Sequence, residues 1–289
     1  RWRASVGFLL LATFAAAPVV AQYPVIVDLK VVNGAGLERM QEPVSVGVPV
    51  PQALAIYQTF GVRVADQFGT LVPAQFKVLT RWGGARDDVS KPIRWLSVTF
   101  KADAIPNETR VYKLVLAPGT VVPGGLWASQ NMWDITVWTS ADTWFKVDRL
   151  VCTLFKEAVI QGTSVVDAPG WLEFGFADGS TPTPFVTSTD LEEYQGYLST
   201  RCVVRQKGWI GPLAFTMRYV FIAGRKDVSV DFRLENPAAY GLFSTTIPDG
   251  QKYFDRCYFH QPISGTGHTV VSSLGSRPPY EFRPVYAAF

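Results

Sequence analysis

DVSVDFRL, residues 227–234, places an apolar side chain at every second position. Val228, Val230, Phe232 and Leu234 point to one side, and the charged and hydroxyl side chains between them point to the other. A period of two is typical of a β-strand with one buried face. The same alternation recurs upstream, at residues 75–82, 96–101, 112–116 and 214–221.

Short polar turns separate these alternating runs, as at Asp66-Gln67-Phe68-Gly69 and Ala177-Asp178-Gly179. Strands that recur about every ten residues favour sandwiches or barrels over alternating β and α units. The sequence therefore predicts an all-β protein, with at most one helical turn at residues 190–194. A Pro- and Gly-rich stretch at residues 117–125 predicts a boundary between a domain at 22–120 and a second domain at 121–289.

Residues 1–21 have the features of a secretory signal peptide. Arg1 and Arg3 supply positive charge, residues 6–17 form an apolar run, and Val19-Val20-Ala21 places small residues before the expected cleavage site. The alternative, a membrane anchor, needs an apolar run of about 20 residues, and this run is shorter. We expect a secreted protein, extracellular or periplasmic, with no membrane span after cleavage. The first residue is Arg, so we also expect a longer natural sequence.

The net charge and the cysteine content argue against several classes of protein. The formal net charge is +3, and it falls to +1 without Arg1 and Arg3, so the nearly neutral chain is not expected to bind nucleic acid. Cys152, Cys202 and Cys257 allow either one disulfide and one thiol or three unpaired thiols, and the sequence leaves both alternatives open. No zinc-ligand spacing and no Gly-rich phosphate loop is present, so no metal or cofactor is predicted.

Three segments of the first half resemble a known family. They are VSVGVPVPQAL at 44–54, FGVRVADQFGTLVPAQFKVLTRW at 60–82 and PIRWLSVTFKADAIPNETRVYKLVL at 92–116. Together they are similar to the N-terminal RIFT-type β-barrel of the exo-acting rhamnogalacturonan lyases and their bacterial relatives. YLSTRCVVRQKG at 197–208 and FTMRYVFIAGRKDVSVDFRLENP at 215–237 are similar to the central β-sandwich of the same proteins, which is like that of galactose mutarotase.

This resemblance implies an exported protein that acts on pectic polysaccharide. Members of the family continue into a helical toroid that carries the catalytic cleft, and no part of this sequence resembles the toroid. No catalytic residue is therefore assigned, and the loop at 83–91 is longer than the family turn. The expected role is a non-catalytic N-terminal part that supports a downstream helical domain. The alternative is a stand-alone glycan-binding or structural surface protein.

A cluster near the end of the chain is the candidate for acid–base chemistry. Arg256, Tyr258, His260 and His268 combine a cation, a phenol and the two His of the chain. Removal of a proton beside a carboxylate needs a base and a positively charged or hydrogen-bonding clamp. The alternative is a set of unconnected loop residues. The acids at Asp190, Glu192 and Glu193 are expected to be a solvated surface and not a calcium or glycosidase site.

Tryptophans crowd the start of the second half, at Trp127, Trp133, Trp138, Trp144 and Trp171. Because Trp is highly buried on average, core packing is the expected role of these side chains. Exposed indoles would instead stack on the apolar faces of sugar rings. Trp138, Trp144 and Trp171 are the candidates for glycan contact. Arg94 is a fourth candidate, since its guanidinium suits either a galacturonate or a structural carboxylate.

Overall fold

The computed structural model describes residues 23–34, 36–118, 122–166, 168–235 and 254–264. This part of the chain is all-β and contains no α-helix, only two short 3₁₀ turns at Gln52–Leu54 and Gly196–Leu198. The signal-like segment at 1–21 and His268 lie outside the described residues. Within the described part, no helix has the length and apolar character needed to cross a membrane.

The first half of the chain forms two antiparallel sheets. One has the order β1-β7-β3-β4 and the other β2-β6-β5. The strands are β1 (Val25–Val32), β2 (Arg39–Pro49), β3 (Val62–Ala65), β4 (Leu71–Val72), β5 (Ala74–Arg81), β6 (Ile93–Ala104) and β7 (Thr109–Leu116). Their inward side chains form one hydrophobic cluster that includes Val64, Leu96, Phe100, Tyr112 and Leu114.

The described residues of the second half form a sandwich-like arrangement of three antiparallel sheets, with orders β12-β11-β10-β9-β8, β14-β15-β16-β17 and β13-β18. The first sheet contains β8 (Trp127–Gln130), β9 (Asp134–Ser140), β10 (Thr143–Asp148), β11 (Glu157–Ile160) and β12 (Thr163–Val166). The other two contain β13 (Trp171–Phe176), β14 (Phe185–Glu192), β15 (Arg201–Ile210), β16 (Leu213–Ile222), β17 (Ser229–Glu235) and β18 (Phe254–His260).

A second hydrophobic cluster fills this sandwich. Phe215, Met217, Tyr219 and Phe221 of β16 are fully buried, and Val228, Val230, Phe232 and Leu234 pack against them from the next strand. The alternation in DVSVDFRL and in residues 214–221 is thus confirmed. A two-residue turn joins β15 to β16, and Gly211 adopts φ +55° at its first position, where glycine avoids a steric penalty.

The two halves meet on the outer face of the β5–β6 pair. Gln75 on β5 is buried there, and its Oε1 accepts hydrogen bonds from the backbone N–H groups of Thr200 (3.2 Å) and Arg201 (2.9 Å). Its Nε2 donates to the backbone carbonyl of Glu193. The Glu193 carboxylate also lies 3.3 Å from both Lys77 and Arg201. This polar clamp connects the two halves through specific hydrogen bonds.

Several local expectations are wrong. Residues 190–192 end strand β14, and Glu193 has φ +57°, so residues 190–194 do not form a helical turn. In the alternating run 75–82, a period of two places Gln75 and Arg81 on the outer strand face, but both are buried. The Arg81 guanidinium donates to the carbonyls of Tyr57, Arg86 and Lys91 and so holds the long loop after β5 in place.

Candidate functional site

Three tryptophans stand side by side on the outer face of the β8–β9–β10 sheet. Trp127 is the direct partner of Trp138 on β9, and Trp138 is the direct partner of Trp144 on β10. The alternating burial of β9 and β10 sends Ile135, Val137 and Phe145 into the core, so the indoles project from the opposite face. We call Trp127, Trp138 and Trp144 the tryptophan row.

The expected core packing of these side chains is wrong. Trp127 is 57% exposed, Trp138 and Trp144 are half-buried, and none of the three belongs to the buried core. Trp133, in the turn before β9, is also exposed. The structure therefore brings two predicted glycan contacts, Trp138 and Trp144, together with a third residue that the sequence did not select. Trp127 could have been found only by knowing that β8 pairs with β9.

A row of polar side chains runs beside the tryptophan row on the same sheet face. The row contains one residue from each of four neighbouring strands, and each residue is the cross-strand partner of the next: Ser129, Thr136, Lys146 and Glu157. The Lys146 ammonium lies 2.6 Å from the Glu157 carboxylate and 5.4 Å from the centre of the Trp144 ring. The face thus presents flat apolar surfaces next to hydrogen-bonding groups.

A second ion-pair network lies at the far end of this face. Lys156 precedes β11, and its ammonium is 2.8 Å from Asp134 and 3.6 Å from Asp148. Hydrogen bonding to Asp134 raises the pKa of Lys156, although partial burial opposes the shift. We give the name tryptophan face to the outer side of β8–β11 together with Lys156, which precedes β11. Its residues are Trp127, Ser129, Asp134, Thr136, Trp138, Trp144, Lys146, Asp148, Lys156, Glu157 and Val159.

Three of the four predicted acid–base residues, Arg256, Tyr258 and His260, lie on the outer face of the β13–β18 pair. Trp171 pairs with His260, and their rings stack with centroids 4.7 Å apart and planes 10° apart. His260 Nε2 lies 2.8 Å from one Glu173 oxygen, and Arg256 lies 3.5 Å from the other. Tyr258 is half exposed on the same face. The sequence reasoning missed Glu173, which only the strand pairing brings to this cluster.

This β13–β18 cluster has the composition of a weak acid–base site. Glu173 can orient the His260 imidazole, as a carboxylate does for a general base. The same carboxylate is shared with Arg256, however, so the geometry is also that of a structural ion pair joining two strands. Among the residues that the structure describes, no group of three or more His, Cys, Asp or Glu is placed to hold a metal ion.

Arg94 lies away from both surfaces. Its guanidinium sits 5.0 Å from the centre of the Trp82 ring, a cation–π geometry within the first half of the chain. Trp82 is itself fixed by a 3.1 Å hydrogen bond from its indole N–H to the carbonyl of Val50. The structure thus gives Arg94 an aromatic partner within the first half of the chain.

The cysteines are free thiols inside the second half. Cys152 and Cys202 are buried, and Cys257 is half-buried. Burial raises the pKa of Cys152 and of Cys202 to about 12 and that of Cys257 to about 11. Thiols with such high pKa values are poor nucleophiles near neutral pH, so these residues act as small core side chains.

A small polar cavity of about 140 Å³ lies at one end of the first half. Burial lowers the pKa of Lys101 beside it, and the nearby Arg225 contributes to the same shift. Asp103 is held by the backbone and side chain of Gln41. The cavity is lined by Gln41, Asp66, Gln67, Phe68, Val72, Pro73, Lys101, Asp103, Arg110 and Tyr112. Its size suits a few water molecules better than a sugar chain.

In comparisons with known proteins, no family model and no curated protein matches this chain. The candidate sites therefore rest on the residues and their geometry alone.

Proposed function

We propose that this chain is a non-catalytic β-part of an exported protein that acts on polysaccharide, and that it holds the glycan on the tryptophan face. The observation that carries the proposal is the alignment of Trp127, Trp138 and Trp144 on three adjacent strands. Sugar rings have apolar C–H faces and hydroxyl edges, and this surface offers both complementary chemistries. The indoles would cover the ring faces, and Ser129, Thr136 and Lys146 would bond the hydroxyls.

The energetics favour a weak, reversible contact. Each stacked aromatic face adds about 1 kcal/mol beyond its buried area. Three such contacts, with a few exposed hydrogen bonds, leave only weak net binding after the costs of association. A contact of this strength suits a module that keeps a polymer near another domain, because many equivalent positions on one chain raise the overall affinity.

The proposal also covers the fold type of each half of the chain. The segments at 44–54, 60–82 and 92–116 support a RIFT-type barrel, and those at 197–208 and 215–237 support a sandwich like that of galactose mutarotase. The polar clamp around Gln75 supports a role as a rigid scaffold, since it ties the two halves together. The partner implied by the resemblance is a separate helical catalytic domain, and the substrate class is plant cell-wall polysaccharide.

The non-catalytic assignment is supported by the state of Glu173. This carboxylate lies 2.8 Å from His260 and 3.5 Å from Arg256, the geometry of a contact that joins strands β13 and β18. Burial of the cysteine thiols likewise removes them as nucleophiles at neutral pH. We expect no β-elimination of rhamnogalacturonan by this chain alone. Formation of unsaturated sugar products by the purified chain would overturn the non-catalytic assignment.

Affinity electrophoresis tests the binding function directly. The chain is run through native gels that contain soluble cell-wall polysaccharides, beside the variants Trp138→Ala and Trp144→Ala. We expect retardation of the native chain by at least one polysaccharide and faster migration of both variants. Trp209→Ala is the matched control, because Trp209 is exposed on the β14–β17 sheet and lies outside the tryptophan row. Equal migration of all four proteins in every gel would refute the binding function.

A further inference from the structure

We infer that the tryptophan face selects a neutral, flat glycan ribbon and discriminates against acidic polysaccharide. The inference rests on the proposed function, because it names the ligand class of the same surface. Three features of this surface determine the ligand class: its net charge, the ion pairs of its lysines and the direction of the tryptophan row.

The charge of the tryptophan face disfavours anions. The face carries three carboxylates, on Asp134, Asp148 and Glu157, and two ammonium groups, on Lys146 and Lys156. Its formal charge is therefore negative by one unit. A galacturonate chain would bring repeated carboxylates close to these acids, and like charges across a contact are repulsive. A neutral chain meets no such penalty.

Both ammonium groups of the tryptophan face already form ion pairs. Lys146 lies 2.6 Å from Glu157, and Lys156 lies 2.8 Å from Asp134 and 3.6 Å from Asp148. A sugar carboxylate would have to share one of these ammonium groups with Asp134, Asp148 or Glu157, which brings like charges close together. Hydroxyl groups of a neutral sugar can instead donate to Glu157 and accept from Lys146 while the ion pair stays in place.

The direction of the tryptophan row sets the shape of the ligand. Trp127, Trp138 and Trp144 are direct cross-strand partners, so the row runs perpendicular to the strands. Neighbouring strands lie about 4.8 Å apart, and the backbone positions of the outer two tryptophans are therefore about 10 Å apart. That length fits roughly two linked sugar rings lying in one plane. An extended chain whose ring substituents are equatorial, such as a β-1,4-linked glucan or mannan, exposes flat C–H faces of this kind.

The row of polar side chains beside the tryptophan row favours the same orientation of the ligand. Ser129, Thr136, Lys146 and Glu157 lie two residues along the strands from the tryptophan row, at a distance of about 7 Å. A ribbon resting on the indoles would turn one hydroxyl edge towards these side chains. Helical or heavily branched glycans do not keep a flat face and a straight edge in contact with two parallel rows at once.

The β14–β17 sheet carries a different set of outward side chains. Arg205, Lys207 and Trp209 face outward in succession along β15, and Arg218 is the direct partner of Arg205. Both arginines are paired with acids of the flanking strands, Arg205 with Glu192 at 3.0 Å and Arg218 with Asp231 at 3.8 Å. Acidic glycan held on this surface by its charge alone is therefore expected to be displaced by salt. Loss of glycan binding in Trp127→Ala or Trp138→Ala therefore distinguishes binding on the tryptophan face from binding on the β14–β17 sheet.

The experiment measures binding of the full chain to two matched probes by isothermal titration calorimetry. The probes are a neutral β-1,4-linked gluco-oligosaccharide and an oligogalacturonate of similar length. We expect the neutral probe to bind and its affinity to fall at least tenfold in Trp127→Ala and in Trp138→Ala, with no change in Trp209→Ala. Thermal unfolding of each variant verifies that the fold is retained.

Three outcomes overturn the inference in distinguishable ways. Binding of the oligogalacturonate that is lost in Trp138→Ala would leave the proposed function standing and refute the neutral ligand. Absence of binding to both probes and to every gel polysaccharide would refute the proposed function as well. Sedimentation that shows a dimer of the native chain and a monomer of Trp127→Ala would assign the tryptophan face to self-association.

Discussion

Gln75 on β5 accepts a 2.9 Å hydrogen bond from the backbone N–H of Arg201, a residue 126 positions later in the chain. The same side-chain oxygen also accepts from Thr200, and the amide nitrogen donates to the carbonyl of Glu193. One buried side chain therefore satisfies three backbone groups of the second half. This polar clamp gives the junction between the two halves its specificity.

Replacement of Gln75 by Leu should destabilise the protein. The apolar side chain leaves the N–H groups of Thr200 and Arg201 buried without their acceptor, at a cost of about 1–3 kcal/mol in the free energy of unfolding. Urea denaturation followed by fluorescence measures the change. Gln67→Leu, in an exposed turn, is the control and should leave the midpoint almost unchanged. Equal midpoints for the two variants would mean that the clamp contributes nothing to stability.

Tyr219 lies at the centre of the second core, and its hydroxyl donates a hydrogen bond to the carbonyl of Thr153. In Tyr219→Phe, that carbonyl loses its donor while the packing volume hardly changes, so we expect a loss of about 1 kcal/mol. Tyr197→Phe, on an exposed side chain, should have no measurable effect. A Tyr219→Phe protein as stable as the native chain would show that the hydroxyl bond to Thr153 contributes nothing to stability.

Stability should fall in alkaline solution. Burial raises the pKa of Cys152 and Cys202 from an ordinary value of 9.0 to about 12 and that of Cys257 to about 11. Burial, together with Cys152 and Asp148, also raises the pKa of Tyr219. The folded protein retains these protons above pH 9, whereas the unfolded chain releases them. The stabilisation is complete below about pH 9 and is lost as the pH rises through the folded-state values.

The urea midpoint at about pH 8 and at about pH 10.5 tests this alkaline dependence. We expect a lower midpoint at the higher pH and a smaller difference in Cys257→Ala, because one raised pKa is removed. The native chain should also resist alkylation of Cys152 and Cys202 at neutral pH until it unfolds. A midpoint that does not change with pH, or immediate alkylation of both residues, would contradict the burial of the thiols.

The sequence predicted the strands well where one face of a strand meets the core and the other meets water. Residues 214–221 and 228–234 follow that rule, and their inward side chains are those expected. The rule failed at Gln75 because its outward face meets the other half of the protein instead of water. A contact between residues more than 100 positions apart leaves no signal in local alternation.

The candidate surfaces were only partly predictable for a related reason. Trp138 and Trp144 were candidates because they flank one turn, but Trp127 joins them only through the pairing of β8 with β9. Glu173 likewise reaches His260 only through the pairing of β13 with β18. Residue types suggest a chemistry from sequence, whereas strand register decides which side chains share a surface.

The most direct test of the central claim is an NMR titration that follows the indole N–H signals of the chain. The signals are assigned with the single variants Trp127→Ala, Trp138→Ala, Trp144→Ala and Trp209→Ala, and a neutral β-1,4-linked oligosaccharide is then added. We predict saturable shifts of the Trp127, Trp138 and Trp144 signals and an unchanged Trp209 signal. Shifts confined to Trp209, or no shift in any of the four at millimolar ligand, would contradict this prediction.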